Sequence, residues 1–196
     1  MVVGLRNPGS QYEGTRHNVG AEVVERLADG EAFSKAPKRI RGQVATVRLA
    51  DRPVHLLLPT TFMNESGQAV APLARYYGVG PEAVLLVHDD IDLPFAKMRL
   101  QHSRGAGGHN GVSSVVRSLS TDGVWRLKLG VGRPPGRQDP ADFVLRRFSK
   151  AERPDVDLMV VEAADVVRSF AADGGEAARQ AAGDASARLR DDLEPR

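Results

Sequence analysis

The stretch "VVGLRNPGSQYEGTRHNVGAEVVERL", residues 2–27, sets the pattern for the whole chain. It opens on a short apolar run, residues 2–5, that reads as a buried strand. It closes on Val19, Val23, Val24 and Leu27, which share one helical face. Between them lies a segment holding Asn7, Tyr12, His17 and Asn18, too polar for a core strand and too rich in side-chain chemistry for a plain connector. A strand–loop–helix unit of this kind presents its loop at the carboxyl end of the strand, where open α/β sheets bind ligands. His17 is therefore either a working base or an ordinary loop histidine.

Moving outward, further strand-length apolar runs occupy residues 44–49, 54–58, 83–88 and 125–132. Helical patterns alternate with them: Val70, Leu73, Ala74 and Tyr77 lie on one face, and residues 112–119 form a shorter case. The alternation predicts a single α/β domain with a mixed, mostly parallel central sheet flanked by helices. "ADRPV" (50–54) is a tight turn, so residues 44–49 and 54–58 should form a hairpin. Beyond residue 138 the pattern is helical. Asp139 before Pro140 has the form of an N-cap with proline at the first helical position. Ser149 and Glu152 have capping-box spacing, and that helix should run to about Asp173, before Gly174 and Gly175. The domain is expected to span residues 1–174. Residues 175–196, Ala-rich and charged with almost no large apolar residues, read as a frayed helix or a disordered tail.

Composition narrows the function classes. With 196 residues, 41% of them hydrophobic and 27% charged, the chain has the make-up of an ordinary globular domain. No apolar run approaches the roughly 18 residues of a membrane span, and the N-terminus has no secretory pattern, so a cytoplasmic protein is expected. The absence of cysteine excludes disulfides, thiolate metal sites and Cys nucleophiles. Net charge is only +2, yet residues 95–137 carry eight basic side chains against the single acid Asp122, a local charge of +7. Such a concentration suits a phosphate-bearing partner, or else a solvated basic face.

Three apolar runs are each followed by reactive-looking polar residues: "RNPG…RHN", "PTTFMNESG" and "HDDIDLP". If the strands are parallel neighbours, Asn7, His17, Asn64, His88 and Asp89 share one crevice. A fourth segment, "RGAGGHNGVSSV" (104–115), leads through glycines into a helix near Asn110, whose first N–H groups could receive an oxyanion. It fits neither G-x-G-x-x-G nor a Walker pattern, and no G-x-S-x-G elbow is present. Asp89, Asp90 and Asp92 with His88 offer a divalent-metal alternative, although the same run has turn chemistry. One His, one Asp and several Asn otherwise suit water as a nucleophile: the His takes its proton, the Asp holds the ring, and the amides orient water and donate to the oxyanion. His88 and His109 are expected to be structural and Phe62 to be core.

In their order, "GLRNPGSQYEGTRHNVG", "PTTFMNESGQAV", "VHDDIDLP" and "GAGGHNGVSSV", extended by "WRLKLGVGRPPG" and "DFVLRRFS", resemble bacterial peptidyl-tRNA hydrolase over residues 2 to about 170. The resemblance implies a monomeric, cofactor-independent and metal-independent enzyme of the phosphorylase/hydrolase-like α/β fold, which cleaves the ester between a peptide and the 3′-terminal ribose of tRNA. It implies His17 as the base, Asp89 as its partner, and Asn7, Asn64 and Asn110 as the amides that position substrate and water. Tyr12, Met63 and His109 match crevice-lining positions, and Arg99 and Lys128 match a basic pair that clamps the 5′-terminal phosphate. The partner would thus be peptidyl-tRNA, held at its acceptor stem and 3′ CCA end. A non-catalytic RNA-binding protein on the same scaffold is the alternative. The sequence departs from the family pattern at "QHSRGA" (101–106), a gating loop about two residues longer than usual, at Arg6, where a small residue is usual, and near Gln180, where the usual ending carries Asn.

Overall fold

The computed structural model describes residues 1–134 and 136–193, with side chains described to residue 190. Seven strands form one sheet in the order β2-β3-β4-β1-β5-β7-β6. These are β1 (Val2–Gly4), β2 (Ser34–Lys35), β3 (Gly42–Leu49), β4 (Arg52–Pro59), β5 (Leu85–Asp90), β6 (Met98–His102) and β7 (Trp125–Gly130). The central four, β4, β1, β5 and β7, run parallel, and antiparallel pairings add β3, β2 and β6 at the edges. The mixed, mostly parallel sheet is the one the alternation predicts. The 44–49 and 54–58 runs form the expected hairpin, closed by Ala50 and Asp51, both at positive φ.

Helices α1 (Val19–Ala28), α2 (Gly67–Tyr77), α3 (Asn110–Leu119), α4 (Pro140–Val144), α5 (Arg153–Asp173) and α6 (Gly175–Leu193) cover the two faces. On one face α1, α5 and α6 pack over Leu56, Leu85, Val87, Leu127 and Leu129; on the other, α2 and α3 pack over Val3, Leu57 and Leu86. The central strands are buried on both faces and so read as unbroken apolar runs.

Two expectations shift. The 83–88 run becomes a strand at Leu85–Asp90, because Pro81–Ala83 is taken by a 3-10 turn. Asp89 and Asp90, which have turn chemistry in isolation, pair with Leu129 and Gly130 of β7; the ladder overrides local preference. Of the two readings for the Ala-rich segment, helix holds over Gly175–Leu193, while residues 194–196 lie outside the described residues. Ala178, Ala182, Ala185 and Leu189 recur at helical spacing, and all four are buried. Small side chains let α6 approach closely, and Ser186 Oγ accepts the Met98 N–H at 2.8 Å, covering the edge strand β6.

Candidate active site

The carboxyl ends of β1, β4 and β5 and the start of α3 surround a crevice of about 550 Å3. Asn7, His17, Met63, Asn64, His88, Asp89, His109 and Asn110 all line it. The segments that the sequence places separately behind three strands and before one helix therefore converge. Asn7 follows β1, with its N–H on Asn18 Oδ1 at 2.8 Å and its carbonyl oxygen accepting Asn18 Nδ2 at 2.9 Å. Asn7 Oδ1 accepts the Met63 N–H at 2.8 Å. That bond orients the amide and leaves Nδ2 without a partner among the described residues. Asn64, in the turn Met63–Glu65, and Asn110, the first residue of α3, are exposed at the crevice edge. Their side chains make no hydrogen bond among the described residues.

The chemistry centres on Asp89, whose side chain is 3% exposed. His17 Nδ1 lies 2.8 Å and His109 Nε2 3.0 Å from the same oxygen, Oδ1. His109 Nδ1 accepts the N–H groups of Gly111 and Val112 at 3.1 and 3.3 Å. That nitrogen therefore carries no proton, and Nε2 must donate to Asp89. An ionised Asp89 likewise takes Nδ1–H from His17, which leaves His17 Nε2 a lone pair and no partner among the described residues. Burial works to raise the Asp89 pKa, but the two imidazoles facing it more than offset this and hold the carboxyl well below the ordinary range. His88 is fully enclosed, donates Nδ1–H to the Asp89 backbone carbonyl at 2.7 Å, and leaves Nε2 buried without a partner among the described residues. Burial, with His109 beside it, pushes its pKa well below the ordinary value. A structural role fits His88.

Several expectations are corrected. The Gly111 and Val112 amides are spent on His109, so they are not open to an oxyanion. The Asp89–Asp90–Asp92 metal set does not assemble. Asp89 bonds the histidines, Asp90 pairs with Lys128, and Asp92 pairs with Arg133. A different trio, His17, Asp89 and His109, has ligand atoms within 4.8 Å of one another. A cation on His109 Nε2 would force that ring's proton onto Nδ1, against two amide donors, so the trio suits protons better than a metal. Phe62, expected in the core, is 51% exposed beside Met63. Tyr12 lies in the turn Ser10–Tyr12 and is not among the residues lining the crevice. Arg6 turns away to Pro59 O, Gln43 and Glu25. Gln180 lies exposed on α6, bonded to Asp184.

Arg99 and Lys128 are register partners across β6 and β7, outside the crevice lining. Arg99 is exposed, whereas Lys128 is already paired with Asp90. The 101–106 loop is tied down by a residue that sequence reading passed over. Arg126, 1% exposed, donates Nη1 to Gly105 O at 2.6 Å. The helix start read at Asp139–Pro140 is α4, but its place was not foreseen: Pro140, Ala141 and Val144, with Asp139 before them and Leu145 after, form the outer wall of the crevice.

A mixed α/β fold with an imidazole–carboxylate pair and open amides in one crevice is an arrangement that suits a hydrolase. The family model for peptidyl-tRNA hydrolase matches residues 1–189. The peptidyl-tRNA hydrolase of Kineococcus radiotolerans is 46% identical over 187 residues, covering 92% of this chain and 94% of its own. That of Mycobacterium tuberculosis is 47% identical over 181 residues, covering 91% and 94%. The crystal structure of a variant peptidyl-tRNA hydrolase from Acinetobacter baumannii superposes with a TM-score of 0.85 at 36% identity, covering 95% of this chain and 93% of that one. The chain belongs to the peptidyl-tRNA hydrolase family.

Proposed function

We propose that this chain hydrolyses the ester joining a peptide, or an N-blocked amino acid, to the 3′-terminal ribose of tRNA, with His17 as general base. The supporting observation is the hydrogen-bond chain His17–Asp89–His109–α3. The amides at the start of α3 set the His109 tautomer, His109 and His17 both donate to Asp89, and His17 keeps Nε2 unprotonated toward the crevice. Water at Nε2 gives up its proton as its oxygen attacks the ester carbonyl. Asn7 Nδ2 and the amides of Asn64 and Asn110 hold the water and donate to the developing oxyanion. Collapse of the tetrahedral species breaks the bond to the ribose oxygen, which takes the proton back from His17. General-base help supplies roughly 10²–10⁴ in rate, and one oxyanion donor about 3–4 kcal/mol. An activated ester asks for no more.

Arg99, with Lys128 beside it, is assigned to the 5′-terminal phosphate. These contacts give affinity and salt dependence rather than sequence choice. Asp90 shares Lys128, so Arg99 carries the larger part. Met63 and His109 shape the crevice, and the acceptor stem and CCA end are the parts of tRNA held. A monomer acting in the cytoplasm, where its substrate is made, fits this reading, and no described helix is long and apolar enough to cross a membrane. The His17–Asp89 pair favours an enzyme over a passive RNA-binding protein. The test is release of an N-blocked amino acid from tRNA, with and without EDTA. Release unaffected by EDTA is expected; no release overturns the reading, and release lost with EDTA overturns its metal-free chemistry.

A further inference from the structure

Arg16 stands next to the proposed base, yet nothing in the chemistry above uses it. Its side chain is buried, a costly location for a charge. Nη2 meets both oxygens of Glu152, at 2.6 and 2.9 Å. Nη1 donates to the carbonyls of Arg147 at 2.8 Å and Arg146 at 3.4 Å. The rings of Phe143 and Phe148 lie 4.3 and 4.9 Å from its guanidinium carbon. The backbone joins in: the Arg16 N–H donates to Arg146 O at 3.1 Å, and the Phe148 N–H to Gly14 O at 3.2 Å. Every one of these contacts ties the His17 loop to the segment running from α4 to the start of α5.

That segment matters to the crevice. Helix α4 divides the crevice from a second cavity: Val144 and Leu145 line the first, Phe143 and Arg146 the second. The second cavity is rich in arginine, but its buried guanidinium has its terminal nitrogens committed to Glu152 and to carbonyls, so it is the back of a clamp rather than a ligand site. On the crevice side Leu145 stays 42% exposed, an apolar side chain for substrate to cover.

Resting on the hydrolase reading, we infer that Arg16 is a positioning residue: it fastens the α4 wall to the His17 loop, whose histidine Asp89 holds in place, so that Leu145 stands where substrate binds against it. A planar guanidinium whose two terminal nitrogens reach a carboxylate and two carbonyls at once is suited to this task, and lysine is not. The wall touches substrate away from the reacting atoms, so its loss falls on KM.

The test uses the full chain, N-blocked aminoacyl-tRNA and steady-state kinetics at a temperature where each variant is folded by circular dichroism. Arg16→Met is expected to raise KM about tenfold, in line with losing one buried apolar contact of about 1.4 kcal/mol. Its kcat and the pH midpoint of kcat should stay close to wild type. Arg16→Lys should not rescue it. Leu145→Ala should raise KM similarly, and the double variant should be no worse than Arg16→Met alone, because both remove the same contact. Should Arg16→Met fail to fold, Glu152→Gln carries the test, with a smaller rise in KM expected. Wild-type KM in a folded Arg16→Met or, in its place, Glu152→Gln variant overturns the inference, as do effects that simply add. A wild-type chain that releases nothing overturns the hydrolase reading instead.

Discussion

Asp89 takes two imidazole donors on one oxygen, and each constrains the other. His109 has no freedom of tautomer, because α3 presents two N–H groups to its Nδ1. Asp89→Asn would keep an oxygen where the two donors converge but remove its charge. The imidazolium that His17 becomes would lose its counter-charge; kcat should fall by about 10²–10⁴ with KM little changed, measured by steady-state release of the blocked amino acid. His88 makes a second prediction. Its folded pKa lies below the ordinary value, so on falling below about pH 6.5 the unfolded chain takes up a proton that the folded chain refuses. Stability should therefore drop as pH falls from 7 toward 5, with up to about 1.4 kcal/mol per pH unit from this one group. His88→Asn, which keeps a donor for the Asp89 carbonyl, should flatten that slope in urea titrations; parallel slopes for the two proteins would contradict it. His17 and Asp89 were legible in the sequence because each follows an apolar run. The role of His109 on Asp89 was not, since it depends on which nitrogen α3 occupies.

At the scale of elements, the distance between His17 and Asp89 is set by α1 lying close on β5. Gly20 makes this approach possible, for a Cβ there would sit 2.1 Å from Val87 O. Gly20→Ala should force α1 off the sheet, cost about 1–3 kcal/mol in denaturant unfolding, and lower kcat by lengthening the His17–Asp89 bond. Strand–helix alternation made β1, β3, β4, β5, β7 and most helices legible. Edge strand β6 was not, because only Met98 and Leu100 face inward while Arg99 is exposed. The packing of α6 was hidden by the smallness of its alanines. The α4 wall was hidden for another reason: its capping signal shows a helix, but its place on the crevice depends on Arg16 meeting Glu152, 136 positions away.

Across the whole molecule, charge and chemistry occupy different ground. The crevice gathers amides and imidazoles around the Asp89 carboxylate, while the +7 segment supplies the β6–β7 face carrying Arg99 and Lys128. Arg99→Ala should raise KM and reduce the slope of log KM against log salt by about one phosphate contact, with kcat preserved. Lys128→Ala should do less, because Asp90 already shares that charge. An unchanged salt slope in both would remove the phosphate assignment. The central claim is the base itself, and its most direct measurement is single-turnover hydrolysis of pre-bound N-blocked aminoacyl-tRNA by His17→Ala. The account predicts a rate lower by about 10²–10⁴ with tRNA affinity essentially retained; a rate near that of the wild type would contradict it.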